Sequence, residues 1–286
     1  PGHVDMASIY YELGPRINAA GRMAHGAESV KLLIADSLHS AEEQSAILDA
    51  YNRKRQDLDQ EVTQQALAHI ESDPTLLDRK VLVLYDPSWN KGVMGIVAAR
   101  LADRLHRPVV IFSRSGDYLS GSGRSYGGYD LYQAVQACSD CLLNFGGHMF
   151  ATGMSVAPDR LAEFRKRLEQ YTEEHQDTNH PFLPKLHIDT RLDAQEISRN
   201  LLRQIDLFYP FGMGNERPVF LTAQLRDAGG TRAVGKNGQH LSLRITDYYQ
   251  RIRPLHGFAL AQAHYLPALA RHVPFALCYE LEENNF

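Results

Sequence analysis

Three cysteines in 286 residues are too few to staple a chain of this length, which excludes a disulfide scaffold and fits a reducing cytoplasm. No run of 18 apolar residues occurs, so no helix spans a membrane, and no charged, apolar and small leader is visible. A cation excess is also missing: 30 Lys and Arg stand against 34 Asp and Glu, a net charge of −4. That excludes a polycationic nucleic-acid coat but leaves room for a local basic groove, because field strength depends on where charges sit. A two-metal phosphoesterase wants clustered Asp and His, in Asp-x-Asp or Asp-His-His form, and neither is expected in this chain. Asp86 and Asp130 stand alone, each explained by turn or capping chemistry. No metal site is therefore expected in this chain. It also opens Pro1-Gly2-His3 without a methionine, so a piece of a longer protein is expected.

What is present suffices for two cores, with 44% hydrophobic residues over a length that suggests two domains. Residues 1–38 are rich in small and turn residues. Over 39–74 the apolar positions Ile47, Tyr51, Leu58, Val62, Ala66 and Ile70 recur at helical spacing behind an expected capping box of Ser40 and Glu43, and Pro74 ends the pattern. The polar remainder of that helix predicts a strut joining two bodies. Residues 78–176 alternate strand and helix, with buried strands at 81–85 and 109–112, an exposed strand at 118–125 and an amphipathic helix at 158–175: an α/β domain. A polar linker follows at 176–181. Over 186–286 a lead-in helix precedes five short strands with one helical insertion at 265–271, the pattern of an all-β oligonucleotide-binding barrel.

Several stretches carry chemistry. Gly14-Pro15-Arg16-Ile17-Asn18-Ala19-Ala20-Gly21-Arg22 sets two guanidiniums among residues too small to screen them, suited either to a phosphate or to a helix C-terminus or carboxylate. Ser122, Gly123 and Arg124 combine a hydroxyl, a free backbone and a cation, the ingredients of a phosphate cradle or of a hairpin turn. Gly146-Gly147-His148 reads as a loop that presents an imidazole able to donate to a phosphate oxygen or ligate a metal; a structural hydrogen bond is the plainer reading of one His. Cys138 and Cys141 lack the second pair a metal ribbon needs and are expected in the core. Residues 226–253 hold six cations against Asp227 and Asp247, with Arg232, Lys236, Arg244, Tyr248 and Arg251 as candidates for a groove that tracks phosphates while rings stack on bases.

In order along the chain, Gly14–Met23, Trp89-Asn90-Lys91-Gly92-Val93-Met94-Gly95-Ile96-Val97-Ala98, His106-Arg107-Pro108-Val109, Gly121–Ser125, Phe145–His148 and Pro210-Phe211-Gly212-Met213-Gly214-Asn215 resemble the RecJ family, the single-strand-specific DNA exonucleases of the DHH phosphoesterase superfamily. The resemblance implies the tail of a catalytic domain, a long connecting helix, a DHH-associated α/β domain and an oligonucleotide-binding barrel whose last strand is missing here. It implies a 5′→3′ exonuclease of DNA repair and recombination using Mn²⁺ or Mg²⁺ in the intact enzyme, with none bound by this chain, which alone is expected to be inactive. Ser122 and Arg124, with Arg16 or Arg22, would hold a 5′-terminal phosphate, and His148 would touch the scissile phosphate. The implied partners are single-stranded DNA with a 5′ phosphate, a single-strand-binding protein and a helicase, in the cytoplasm and away from membranes. Two other readings stay open: a non-catalytic nucleic-acid-binding or scaffold protein, and a related DHH enzyme acting on short RNA or dinucleotides.

Overall fold

A computed structural model describes residues 6, 8–175, 182, 184–271 and 273–283. The 176–181 linker lies outside the described residues. The chain divides into two compact units, Pro1–Lys185 and Leu186–Phe286.

The first unit has a π-helical segment at Ser8–Leu13 followed by three α-helices, α1 (Gly14–Met23), α2 (Ala27–Leu33) and the 35-residue α3 (Leu38–Ser72), the last about 50 Å long at 1.5 Å per residue. The N-cap of α3 is Ser37, whose hydroxyl accepts from the Ser40 amide at 3.2 Å. The helix therefore begins ahead of the expected Ser40–Glu43 box, because Ser37 already satisfies a free amide of the first turn. Nor does its C-terminal half stand free as a strut. Val62, Ala66 and Ile70 join the core with Trp89 and with Met94, Val97 and Leu101 of α4 (Met94–Leu105). Two polar contacts fix the pairing: Arg100 to Asp59 at 2.7 Å, and the Trp89 indole N–H to Gln65 at 2.9 Å.

A five-stranded sheet follows in the order β1-β2-β3-β5-β4: β1 (Leu82–Tyr85), β2 (Val109–Ser115), β3 (Tyr118–Arg124), β4 (Leu142–His148) and β5 (Ala151–Val156). β1 and β2 run parallel with α4 as their crossover; the other pairs are antiparallel. One face packs on α3 and α4. The other packs on α5 (Leu131–Ala137) and α6 (Leu161–His175), around Phe112, Leu131 and Phe164. Cys138 and Cys141 are buried in this second core, and burial pushes the Cys138 thiol up to about 12.

Two expectations are corrected here. β3 is central rather than exposed; its small residues are demanded by large neighbours, since a Cβ on Gly121 would lie 2.4 Å from the Phe112 ring. The stretch Phe145–His148 is the end of edge strand β4, not a loop, its two glycines leaving no apolar alternation to mark it.

The second unit begins with β6 (Thr190–Arg191), a two-residue strand parallel to β7 (Phe220–Asp227) and too short to announce itself in sequence. The lead-in helix is broken in two. An Asp193–Glu196 capping box closes one turn, and Ser198 caps α7 (Arg199–Asp206). Strands β8 (Arg232–Val234), β9 (His240–Asp247), β10 (Leu255–Ala259) and β11 (Phe275–Tyr279) complete the path β10-β9-β7-β11, with β8 on β9. The insertion is a 3₁₀ turn and the four-residue α8 (Leu266–Leu269). Leu225, Leu241, Leu243 and Ile245 form the core. From His240 to Ile245 the residues of β9 thus alternate between the outer face and the core.

Candidate nucleic-acid interface

The pairing register sets the geometry of the first-unit site. Arg124 on β3 pairs with Ala151 on β5, which pairs with His148 on β4, so the three share one rung. The rung two residues away on the same face is Ser122, Gly153 and Gly146. With neighbouring strands about 4.8 Å apart, the Arg124 and His148 backbones lie about 10 Å from each other. Between them the face carries no side chain larger than a methyl group, and a Cβ on Gly146 or Gly153 would meet nothing within 4 Å. The result is an open floor with a cation at one side and an imidazole at the other.

The cationic side is built against the first turn of α4. A Cβ on Gly95 would sit 2.6 Å from a terminal guanidinium nitrogen of Arg124 and 3.1 Å from the Ser122 hydroxyl, so only glycine lets the guanidinium lie there. Arg124 donates to the Gly123 carbonyl at 2.7 Å and to Ser122 at 3.2 Å. Gly92 closes on the last turn of α1, where an added Cβ would be 2.4 Å from the Arg22 carbonyl oxygen, and Arg22 donates to the Gly92 carbonyl at 3.2 Å. Burial, and then the like charge of Arg22, hold the Arg124 guanidinium below its ordinary value. Among the described residues neither arginine has a carboxylate within ion-pairing distance. Two cations and the positive end of a helix thus meet without a counter-charge, and an anion there relieves all three.

At the other side, the exposed His148 accepts the Phe150 amide on Nδ1 at 3.3 Å, which leaves Nε2 as the ring's donor nitrogen. Gly147 has φ of +140°, and a Cβ would fall 2.2 Å from the Ala151 carbonyl oxygen, so the hairpin end demands glycine.

Other candidates are placed differently. Arg16 is bound to Asp49 at 2.5 Å and to the Glu12 carbonyl at 2.7 Å, so Arg22 rather than Arg16 accompanies Arg124. Gly123 faces the opposite side of the sheet against Leu131 and Thr152, as a packing glycine. The Asp-x-Asp spacing Asp57-Leu58-Asp59, which motif reading passes over, lies in mid-helix, where Asp59 serves Arg100. Among the described residues no group of three His, Cys, Asp or Glu is placed to hold a metal ion. His148 alone does not make the carboxylate-rich set that a pair of divalent cations needs.

In the second unit Arg232, Ser242, Arg244, His256 and Phe258 share the solvent face of β8, β9 and β10, because Arg232 and Phe258 both pair with Ser242 and His256 pairs with Arg244. Phe258 is 62% exposed, and the His240 ring lies 5.5 Å from it. Composition alone passed over Phe258 and His256; the alternation His256-Gly257-Phe258-Ala259 is the signal that exposes them. Lys236 is exposed in the turn after β8, and Tyr248 follows the far end of β9, edge-on to Tyr249 at 5.5 Å. Arg251 is withdrawn from the open face: it binds Asp247 at 2.7 Å and approaches Asp193 at 3.8 Å. Burial would raise the Asp247 carboxyl, but hydrogen bonds from Arg251 and the Ile252 amide outweigh it and hold the group below its ordinary value.

The fold defines a class, a DHHA1 domain followed by an OB domain. The DHHA1 domain family matches residues 78–174 and the RecJ OB domain family matches residues 188–286. The single-stranded-DNA-specific exonuclease RecJ of Bacillus subtilis (strain 168) is 31% identical over 248 residues, covering 85% of this chain and 31% of its own length. Crystal structures of RecJ from Thermus thermophilus in complex with Mg²⁺ and with Mn²⁺ match all of this chain at 26% identity, with TM-scores of 0.80 and 0.81, and 42% and 40% of their own chains. The chain belongs to the RecJ family. It spans about a third to a half of the curated relatives it matches.

Proposed function

We propose that this chain is the strand-gripping part of a 5′→3′ exonuclease specific for single-stranded DNA, and that Arg22, Ser122, Arg124 and the first turn of α4 hold a 5′-terminal phosphate. The observation that carries the reading is a pair of arginines beside a helix N-terminus with no carboxylate among the described residues to balance them. A terminal phosphate carries about two charges and accepts bidentate guanidinium bonds, which matches this deficit. Held there, it directs the next phosphodiester along the Gly146–Gly153 floor toward the Nε2–H of His148, a donor suited to a developing oxyanion. Binding the end rather than the middle of a strand gives the polarity.

The described residues of this chain do not fit a two-metal centre, so in this reading hydrolysis requires Mn²⁺ or Mg²⁺ held by other residues of the intact enzyme, and the isolated chain leaves single-stranded DNA intact. The role in repair and recombination, the cytoplasmic location, and a single-strand-binding protein and a helicase as partners rest on the RecJ relationship. The outer face of β8–β10, with Arg232, Arg244 and Phe258, supports contact with the strand beyond its end.

The test compares a 5′-phosphorylated with a 5′-hydroxyl oligonucleotide. The chain is expected to favour the phosphorylated one, and Arg124→Ala to abolish about tenfold or more of that preference, the worth of a lost charge-assisted pair. An unchanged preference in the variant removes the pocket assignment. Degradation of either oligonucleotide with added Mn²⁺ overturns the inactivity claim.

A further inference from the structure

β1 ends the first-unit sheet at the side opposite β4, with no strand beyond it among the described residues. In a parallel pair alternate residues serve the neighbour. The Leu82 amide donates to Pro108 at 2.9 Å and the Asp86 amide to Phe112 at 3.3 Å. Leu82, Leu84 and Asp86 therefore bond to β2, whereas Val81, Val83 and Tyr85 turn their N–H and C=O groups to the open side. Glu169 of α6 takes the first of these: its carboxylate accepts from the Lys80 amide at 2.8 Å and the Val81 amide at 3.1 Å. Among the described residues the Val83 and Tyr85 amides have no partner.

This edge is the floor of a groove of about 840 Å³, walled by Ser72 and Leu76 on one side and by Ala162, Arg165, Lys166 and Gln170 of α6 on the other. Charge along it is unbalanced. Asp73 and Glu169 are committed to amides of their own chain, while Arg79, Arg165 and Lys166 have no carboxylate within ion-pairing distance among the described residues. Glu173 is the one uncommitted anion of the lining among the described residues.

We propose that the open edge of β1 is a docking strand for an extended, acidic segment of a partner protein. Such a segment adds three or four residues to the sheet, its backbone satisfying Val83 and Tyr85 and its carboxylates meeting Arg79, Arg165 and Lys166. A nucleic-acid strand is a poorer match, because the edge presents carbonyl acceptors as well as amides and a phosphate backbone has no donor for them. The site is independent of the phosphate pocket, which uses β3 and β4.

The experiment uses the whole chain and a fluorescein-labelled peptide of alternating valine and aspartate, with a lysine-for-aspartate peptide as control. Saturable binding of the acidic peptide alone, weakened about tenfold by Arg165→Glu with Lys166→Glu, and slowed hydrogen exchange at the Val83 and Tyr85 amides are expected. An unchanged circular dichroism spectrum verifies the fold of the double variant. The proposal is overturned by no binding, by binding that leaves those two amides unprotected, or by equal binding of both peptides. A self-associating chain in sedimentation that buries the β1 edge overturns it too, as does a loss of oligonucleotide affinity in the double variant, which would make the groove a nucleic-acid surface.

Discussion

At the scale of single residues, the two adjacent glycines Gly146 and Gly147 have opposite jobs. Gly147 has no room and a backbone angle of +140°, so Gly147→Ala is expected to destabilise the first unit by about 3 kcal/mol, read as a lowered urea midpoint. Gly146 faces open space, and Gly146→Ala is expected to leave stability within about 0.5 kcal/mol. It is expected instead to weaken binding of a 5′-phosphorylated oligonucleotide several-fold, because a methyl group then stands on the floor. Equal effects of the two substitutions on stability would refute this division. The tandem is plain in sequence as a pair of small residues beside a His; which glycine is strained and which is open is not, because that depends on the Ala151 carbonyl across the hairpin.

At the scale of elements, α3 shows how far periodicity reaches. The repeat of apolar residues marks a long helix and one of its faces, and Val62, Ala66 and Ile70 are buried on that face. Ile47, placed on the same face by spacing, is 38% exposed, while its neighbour Leu48 is buried at 1%. A helix turns about 100° per residue, so over its length a stripe drifts, and the partners that cover it decide which neighbour is buried. Ile70→Ala is expected to cost the first unit about 2–4 kcal/mol and Ile47→Ala less than about 1 kcal/mol, by thermal or urea unfolding. A neutral Ile70→Ala would return α3 to the free strut that its polar surface suggests. Strand β3 carries the converse lesson: its glycines read as exposure, yet they are small because Phe112 and Leu131 occupy the space around them.

At the scale of the whole molecule, a net charge of −4 coexists with arginines that have no counter-charge among the described residues. Affinity for a strand then depends on salt through the phosphates those arginines neutralise, not through the total charge. Arg244, on the outer face of β9 and anchored to the Gly229 carbonyl at 3.1 Å, is the test position. Arg244→Ala is expected to lower the slope of log affinity against log salt by about 0.7, with little dependence on base sequence. Arg251→Ala, whose guanidinium is held by Asp247, is expected to change the slope less. Equal slopes for Arg244→Ala and the unaltered chain would remove this face from the binding surface.

The sequence by itself determined the long helix, the alternation of strand and helix that follows it, the helical lead-in to a small β domain, the positions of the small-residue stretches, and the lack of an Asp-His-His cluster. These are local properties, written in spacing and residue size. Only the tertiary structure decided that Arg22 and not Arg16 stands by Arg124, that Arg251 is engaged by Asp247, and that Arg124 and His148 share a rung above a bare floor. The reason is register. One residue of slip between paired strands sends every side chain to the other face, and that pairing is set by packing between segments far apart in the chain, where composition and periodicity have no reach.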